Sequence, residues 1–153
     1  VAEARCWCET GEVKRPVPSS DAVSMRMSRQ PTRDTAPEMA LRRRLHAGGL
    51  RFRVDRAPLP GLRRKADIVF TRQRVAVFVD GCFWHRCPEH GTMPASNAEW
   101  WETKLTRNAQ RDAETNRLLA DAGWTVVRIW EHEDLAVAVG RIEALLRERT
   151  SRP

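Results

Sequence analysis

The chain has no tyrosine, only four phenylalanines and only four cysteines in 153 residues. No run of about 18 apolar residues occurs, which excludes a membrane-spanning helix of the usual length. The stretch VAEARCWCETGEVKRPVPSS lacks the apolar centre of a signal peptide. The expected location is therefore the cytoplasm, beside the nucleoid, where cysteines serve as metal ligands or stay inert rather than pairing as disulfides. Acidic residues are outnumbered: 27 Lys and Arg against 20 Asp and Glu leave a formal net charge of +7, most of it from arginine. The planar arginine fork donates two parallel hydrogen bonds to a phosphate, so an anionic partner, nucleic acid first, is expected. Charge alone does not separate this from the arginine-rich usage of a GC-biased genome.

The length suits one domain with a real core. Residues 1–24 read as a disordered leader, with Cys6 and Cys8 in it and no further ligands nearby, and 25–150 read as the folded domain. Thr35, Pro37 and Glu38 have the spacing of a capping box at a helix start. Met39, Leu41 and Leu45 form that helix's apolar stripe, Arg42, Arg43 and Arg44 cover the rest, and Gly48-Gly49 ends it. LRFRVD alternates, with Leu50, Phe52 and Val54 on one face. ADIVFT and RVAVFVD, joined through Arg72-Gln73-Arg74, read as a hairpin whose continuous apolar runs belong at the centre of a mixed sheet. A long helix over NAEWWETKLTRNAQRDAETNRLLADAG stops at Gly123, and WTVVRIW is a further buried strand. A closing amphipathic helix has Leu135, Val139, Ile142, Leu145 and Leu146 on its apolar side. The order α-β-β-β-α-β-α predicts an α/β sandwich around one sheet.

Reactive residues gather in VFVDGCFWHRCPEH. Cys82, Cys87 and His90 form C-x4-C-x2-H, with Pro88 and Gly91 tightening the loop. His132, in IWEHED, is the best fourth ligand. Two thiolates and two imidazoles make a closed, structural zinc set, which leaves His85 free for proton chemistry. Asp67 begins one hairpin strand and Asp80 ends the other, so two carboxylates meet at one edge, as in nucleases that hold Mg²⁺. His85 follows as a general base or proton shuttle for an attacking water. Asp80 reads equally as a turn residue before Gly81, and Glu38 equally as the capping glutamate. Asp112, from the residues alone, reads as a solvated helix position. Trp124 and Trp130 bracket a buried strand and read as core. Phe83, Trp84, Trp100 and Trp101 lie in or just after the reactive loop. Adjacent helical residues point about 100° apart, so one of Trp100 and Trp101 stays outside and is available as an apolar wedge between base steps.

TRDTAPE, LPG, ADIVF, VFVDGCFWHRCPEH, NAEWW with Lys104, Asn108 and Arg111-Asp112 after it, and GWTVVRIWEHE follow one another between Met25 and Leu146. Together they resemble the very-short-patch-repair (Vsr) family of DNA mismatch endonucleases. The resemblance implies a restriction-endonuclease-like three-layer fold with a central mixed sheet and a structural zinc. It also implies Mg²⁺-dependent nicking of double-stranded DNA, 5′ to the thymine of a T·G mismatch left by deamination of 5-methylcytosine, and hence a functional link to a DNA cytosine methyltransferase. A single active site suffices for nicking, so a monomer is expected. Position by position, the resemblance implies Asp67 as the metal-binding carboxylate and the Val79 carbonyl as a second metal contact. It implies His85 as the general base oriented by Asp112, and Glu38 as an acidic residue near the attacking region. Phe83, Trp84 and Trp101 would be the wedge, met by Met27 from an N-terminal arm. Three positions depart from the best-known member: Ala66 replaces a proline, Asp80 a histidine and His132 a cysteine. Asp80 would add a carboxylate to the metal site, and His132 keeps the zinc set intact. The competing readings are a nuclease without mismatch preference and a zinc-stabilised DNA-binding module without catalysis. The Asp67–His85–Asp112 set separates catalysis from binding, because a mere binder has no need of it.

Overall fold

The computed structural model describes Met25 and residues 33–151. Met27, Cys6, Cys8 and the whole of 1–24 lie outside the described residues. Helix α1 (Ala36–Ala47) starts after Thr35 as N-cap and ends at Gly48, with Gly49 at φ 82°. The cap differs in detail from a capping box. The Thr35 hydroxyl donates to Glu38 Oε1 at 2.8 Å and the Asp34 N–H donates to Glu38 Oε2 at 3.0 Å. Glu38 therefore satisfies the amide one residue before the cap, and its carboxylate is held in place from both sides.

After α1 come β1 (Arg53–Arg56), β2 (Ala66–Phe70), β3 (Val75–Asp80), α2 (Ala98–Asp121), β4 (Thr125–Trp130) and α3 (Leu135–Ser151). The sheet order is β1-β2-β3-β4, antiparallel across the first two pairs and parallel between β3 and β4. This is the expected mixed sheet, with the most apolar runs in its middle. Side chains alternate across a strand, so β3 feeds two cores. Val75 and Val77 pack with Leu41 and Leu45 of α1 and with Ile142 and Leu146 of α3. Ala76 and Phe78 pack with Leu119 of α2 and with Trp124. Helices thus cover both faces, giving three layers. Among the described residues no helix is long and apolar enough to cross a membrane.

Four expectations need correction. Arg42 is buried at 8 % exposure instead of facing solvent, because Asp34 and Glu38 pair with it there. Val54 is exposed, since β1 lies at the end of the strand order and only Leu50 and Phe52 reach the core. Leu135 is exposed because it opens α3 ahead of the turn that meets the sheet. Trp130 is half-buried and stacks near His132, with ring centroids 6.4 Å apart and planes at 17°.

The contrast along α3 gives a direct check. Ile142→Ala, at a fully buried position, is expected to cost about 2–5 kcal/mol. Leu135→Ala should stay within about 0.5 kcal/mol of the parent. Urea midpoints measure both, and equal losses would contradict the assigned faces.

Candidate active site

The β2–β3 register, with Ile68 opposite Val77 and Phe70 opposite Val75, carries Asp67 to the end of β3. There the Val79 N–H donates to Asp67 Oδ2 at 2.7 Å. Burial pushes the half-buried Asp67 carboxyl up to about 6; the Val79 N–H opposes this, Glu38 and Asp80 add to it, and Arg42 subtracts from it. Glu38 from α1 and Asp80 from β3 therefore share one acidic neighbourhood with Asp67. A carboxyl raised by burial and by like charge gains most from a bound cation, so this donor set fits a hard divalent ion. Glu38 is itself tied down, with Arg42 Nη2 at 3.0 Å from its Oε2.

The parallel β3–β4 register sets Phe78 beside Arg128 and Asp80 beside Trp130. Arg128 Nη1 donates to both oxygens of Asp80 at 2.8 Å. Its Nη2 lies 3.1 Å from Asp112 Oδ1. The other Asp112 oxygen, Oδ2, is 2.6 Å from His85 Nδ1. Burial works to raise the Asp112 pKa, but the His85 hydrogen bond and the Arg128 charge outweigh it and hold the carboxyl below its usual range. An ionised carboxylate can only accept, so His85 Nδ1 carries the hydrogen, and the lone pair of the ring in its neutral form is on Nε2. For His85 burial works to lower the pKa; the Asp112 bond and the charges of Asp80 and Asp112 prevail and raise it. Asp112 thus faces the reactive loop and not open solvent. Asp80 lies inside the site, 3.7 Å from His85 Nδ1, but Arg128 takes the two oxygens expected to face a metal.

The loop after β3 is fastened at its far side. Donor atoms of Cys82, Cys87, His90 and His132 all lie within 4.8 Å of one another. His132 Nδ1 is 3.0 Å from Cys82 Sγ and 3.8 Å from Cys87 Sγ. The His90 N–H donates to Cys87 Sγ at 3.4 Å. A side chain at Gly91 would come within 2.4 Å of the Cys87 carbonyl oxygen, so the turn needs glycine. Burial, and then Cys87, push the Cys82 thiol up to about 11. Two sulfurs and two ring nitrogens at this spacing suit a metal ion that takes the place of the thiol protons.

Phe83, Trp84, Trp100 and Trp101 form one aromatic cluster. Centroids lie 5.1 Å apart for Phe83–Trp84 and for Phe83–Trp101, and 4.7 Å apart for Trp100–Trp101. Trp101 is buried at 8 % exposure and forms the floor, while Phe83, Trp84 and Trp100 are half-buried above it. Trp100 and Trp101 are buried unequally as expected, but neither is fully exposed, and the inner member is the one assigned to the wedge. Lys104 Nζ sits 4.9 Å from the Trp100 ring centroid and 5.6 Å from that of Trp84. Asn108 Nδ2 donates to the Trp84 carbonyl at 3.1 Å, tying the loop to α2. Sequence reasoning passed over Arg128, Asn108 and Glu131, whose Oε1 accepts from the Cys82 N–H at 2.7 Å. Only Arg128 left a signal, as the one cation within the buried strand TVVRIW.

A family model described as DNA mismatch endonuclease Vsr matches residues 18–89. The chain is 46 % identical over 129 residues to the type II nicking enzyme V.NaeI of Lentzea aerocolonigenes, covering 83 % of this chain and 78 % of that one. It is 41 % identical over 118 residues to the type II nicking enzyme V.XorIIP of Xanthomonas oryzae pv. oryzae, covering 76 % and 82 %. To the DNA mismatch endonuclease Vsr of Escherichia coli it is 40 % identical over 103 residues, covering 65 % and 63 %. With a histidine–aspartate pair, a clustered set of carboxylates and these relatives, the chain belongs to the Vsr family of DNA mismatch endonucleases and is a DNA-cleaving hydrolase.

Proposed function

We propose that the protein nicks one strand of double-stranded DNA 5′ to the thymine of a T·G mismatch, the lesion left when 5-methylcytosine deaminates. The observation that carries the chemistry is the 2.6 Å contact between His85 Nδ1 and Asp112, which leaves Nε2 as the basic atom. The neutral His85 ring takes a proton from the attacking water, and Asp112 steadies the imidazolium that results. Asp67 and the Val79 carbonyl would hold Mg²⁺, which when bound neutralises charge on the scissile phosphate and acidifies water. Glu38, locked by Thr35, Asp34 and Arg42, keeps a fixed negative charge beside Asp67. Asp80 in this reading belongs to Arg128, with the cation left to Asp67.

Phe83 and Trp84, propped from below by Trp101, supply the apolar wedge. A mismatched step is easier to unstack than a paired one, so a wedge gains selectivity from the substrate's own weakness. Cys82, Cys87, His90 and His132 would hold Zn²⁺ in a closed, structural set. The sheet with helices on both faces supports the restriction-endonuclease-like description. One active site per chain is enough for a nick, which fits a monomer, and the lesion itself arises where a cytosine methyltransferase has acted.

Labelled duplexes incubated with Mg²⁺ test the reading. A T·G duplex should be nicked 5′ to the thymine while the matched T·A duplex survives; equal cutting of both would remove the mismatch claim. Asp67→Asn should abolish nicking yet stabilise the cation-free fold. The sign follows from a carboxyl whose pKa is about 6 folded against 3.8 for the free side chain. Its ionised form is disfavoured in the fold above pH 6, by an amount of order 1–3 kcal/mol. The gain from Asn should shrink below pH 6 and vanish below pH 4, as read by chemical denaturation in chelator. A variant less stable than the parent at pH 7.5 would refute the assignment.

A further inference from the structure

Arg128 is the ionic group of the site to which the reaction above gives no part. Its guanidinium is engaged on every polar edge: Nη1 spans the two Asp80 oxygens, Nη2 meets Asp112 Oδ1, and Nε donates to Asn116 Oδ1 at 3.1 Å. Its flat face lies over the Phe78 ring at 4.9 Å. Asp80 is buried, and its Oδ1 lies 3.7 Å from the same His85 nitrogen that Asp112 Oδ2 meets at 2.6 Å. Two carboxylates thus lie near one N–H, one bonded to it and one just beyond bonding distance, and Arg128 holds both oxygens of the farther one. We infer that Arg128 is a positioning residue for strand cleavage: it holds Asp80 off His85 and braces Asp112, so that His85 Nδ1 is reserved for Asp112 and Nε2 keeps one direction. This rests on the reading of His85 and Asp112 as the proton-handling pair.

Rescue distinguishes a positioning arginine from a merely structural one. Arg128→Met leaves Asp80 bare beside His85, and the ring is drawn from its place. Misplacement of a catalytic group on the ångström scale lowers the single-turnover nicking rate at saturating DNA by roughly 10- to 100-fold. The dissociation constant for the duplex should be unchanged. Adding Asp80→Asn to Arg128→Met removes the competing charge and should restore most of the lost rate. Arg128→Lys keeps the charge without the fork, so its rate should fall between parent and Arg128→Met. If Arg128→Met does not fold, Arg128→Lys and its Asp80→Asn double carry the same comparison, with thermal melts as the folding control.

His85→Ala and Asp112→Asn are run alongside. If these two nick at the parent rate, the proton-pair reading itself fails. If they are inactive while Arg128→Met nicks normally, loses only DNA affinity, or gains nothing from Asp80→Asn, the positioning role is overturned.

Discussion

Cys82, Cys87, His90 and His132 bring four donor atoms within 4.8 Å of one another, and the place of each reactive group in the loop after β3 follows from that convergence. Cys82 and His132 are 50 residues apart in the chain. They meet because β3 and β4 run parallel in register, so the residues following each strand leave the sheet at the same end. Glu131 ties the junction from both sides, its N–H donating to the Asp80 carbonyl and its carboxylate accepting from the Cys82 N–H. Sheet topology thus builds the cluster and the cluster fixes the loop. The loop in turn lays His85 against Asp112 and sets Phe83 and Trp84 on Trp101.

The second constraint is charge. Glu38, Asp67, Asp80 and Asp112 crowd one end of the sheet, and two arginines divide them. Arg42 takes Glu38 together with Asp34, and Arg128 takes Asp80 together with Asp112. Asp67 is met by a backbone N–H, and its carboxyl rises to about 6. This division leaves Asp67 as the carboxylate with most to gain from a cation. The proposed reaction, which asks one site to bind a metal and to move a proton, depends on such a separation, since a carboxylate saturated by arginine serves neither the metal nor the water.

Much of this was legible in the residues. The cysteine and histidine spacing named all four members of the cluster, because ligand chemistry restricts the choice to few residue types. The hairpin reading of ADIVF and VAVFVD placed Asp67 at the strand end where it is found. Asp112 was legible only through the family motif, since a helix turns a fresh face every residue and one aspartate carries no sign of which face matters. Arg42 was lost within the run RRR, where only tertiary pairing distinguishes the buried member from its exposed neighbours. Arg128 showed only as a lone cation in an apolar strand, because the partner that defines it, Asp80, lies 48 residues earlier. Helical geometry fixes the angle between Trp100 and Trp101 but not which one faces inward, and the outer member, Trp100, is half-buried where an exposed ring is expected.

The dependence of the site on its fastening can be measured on a single variant. Cys87→Ser leaves Asp67, His85, Asp112 and Arg128 in the chain and removes one donor from the cluster. Parent protein should contain one zinc ion per chain by elemental analysis. The variant should lose that zinc and, with Mg²⁺ supplied in excess, should also lose nicking of a T·G duplex. A zinc-free Cys87→Ser protein that nicks the duplex at the parent rate would contradict the fastening of the loop after β3 by the cysteine–histidine cluster.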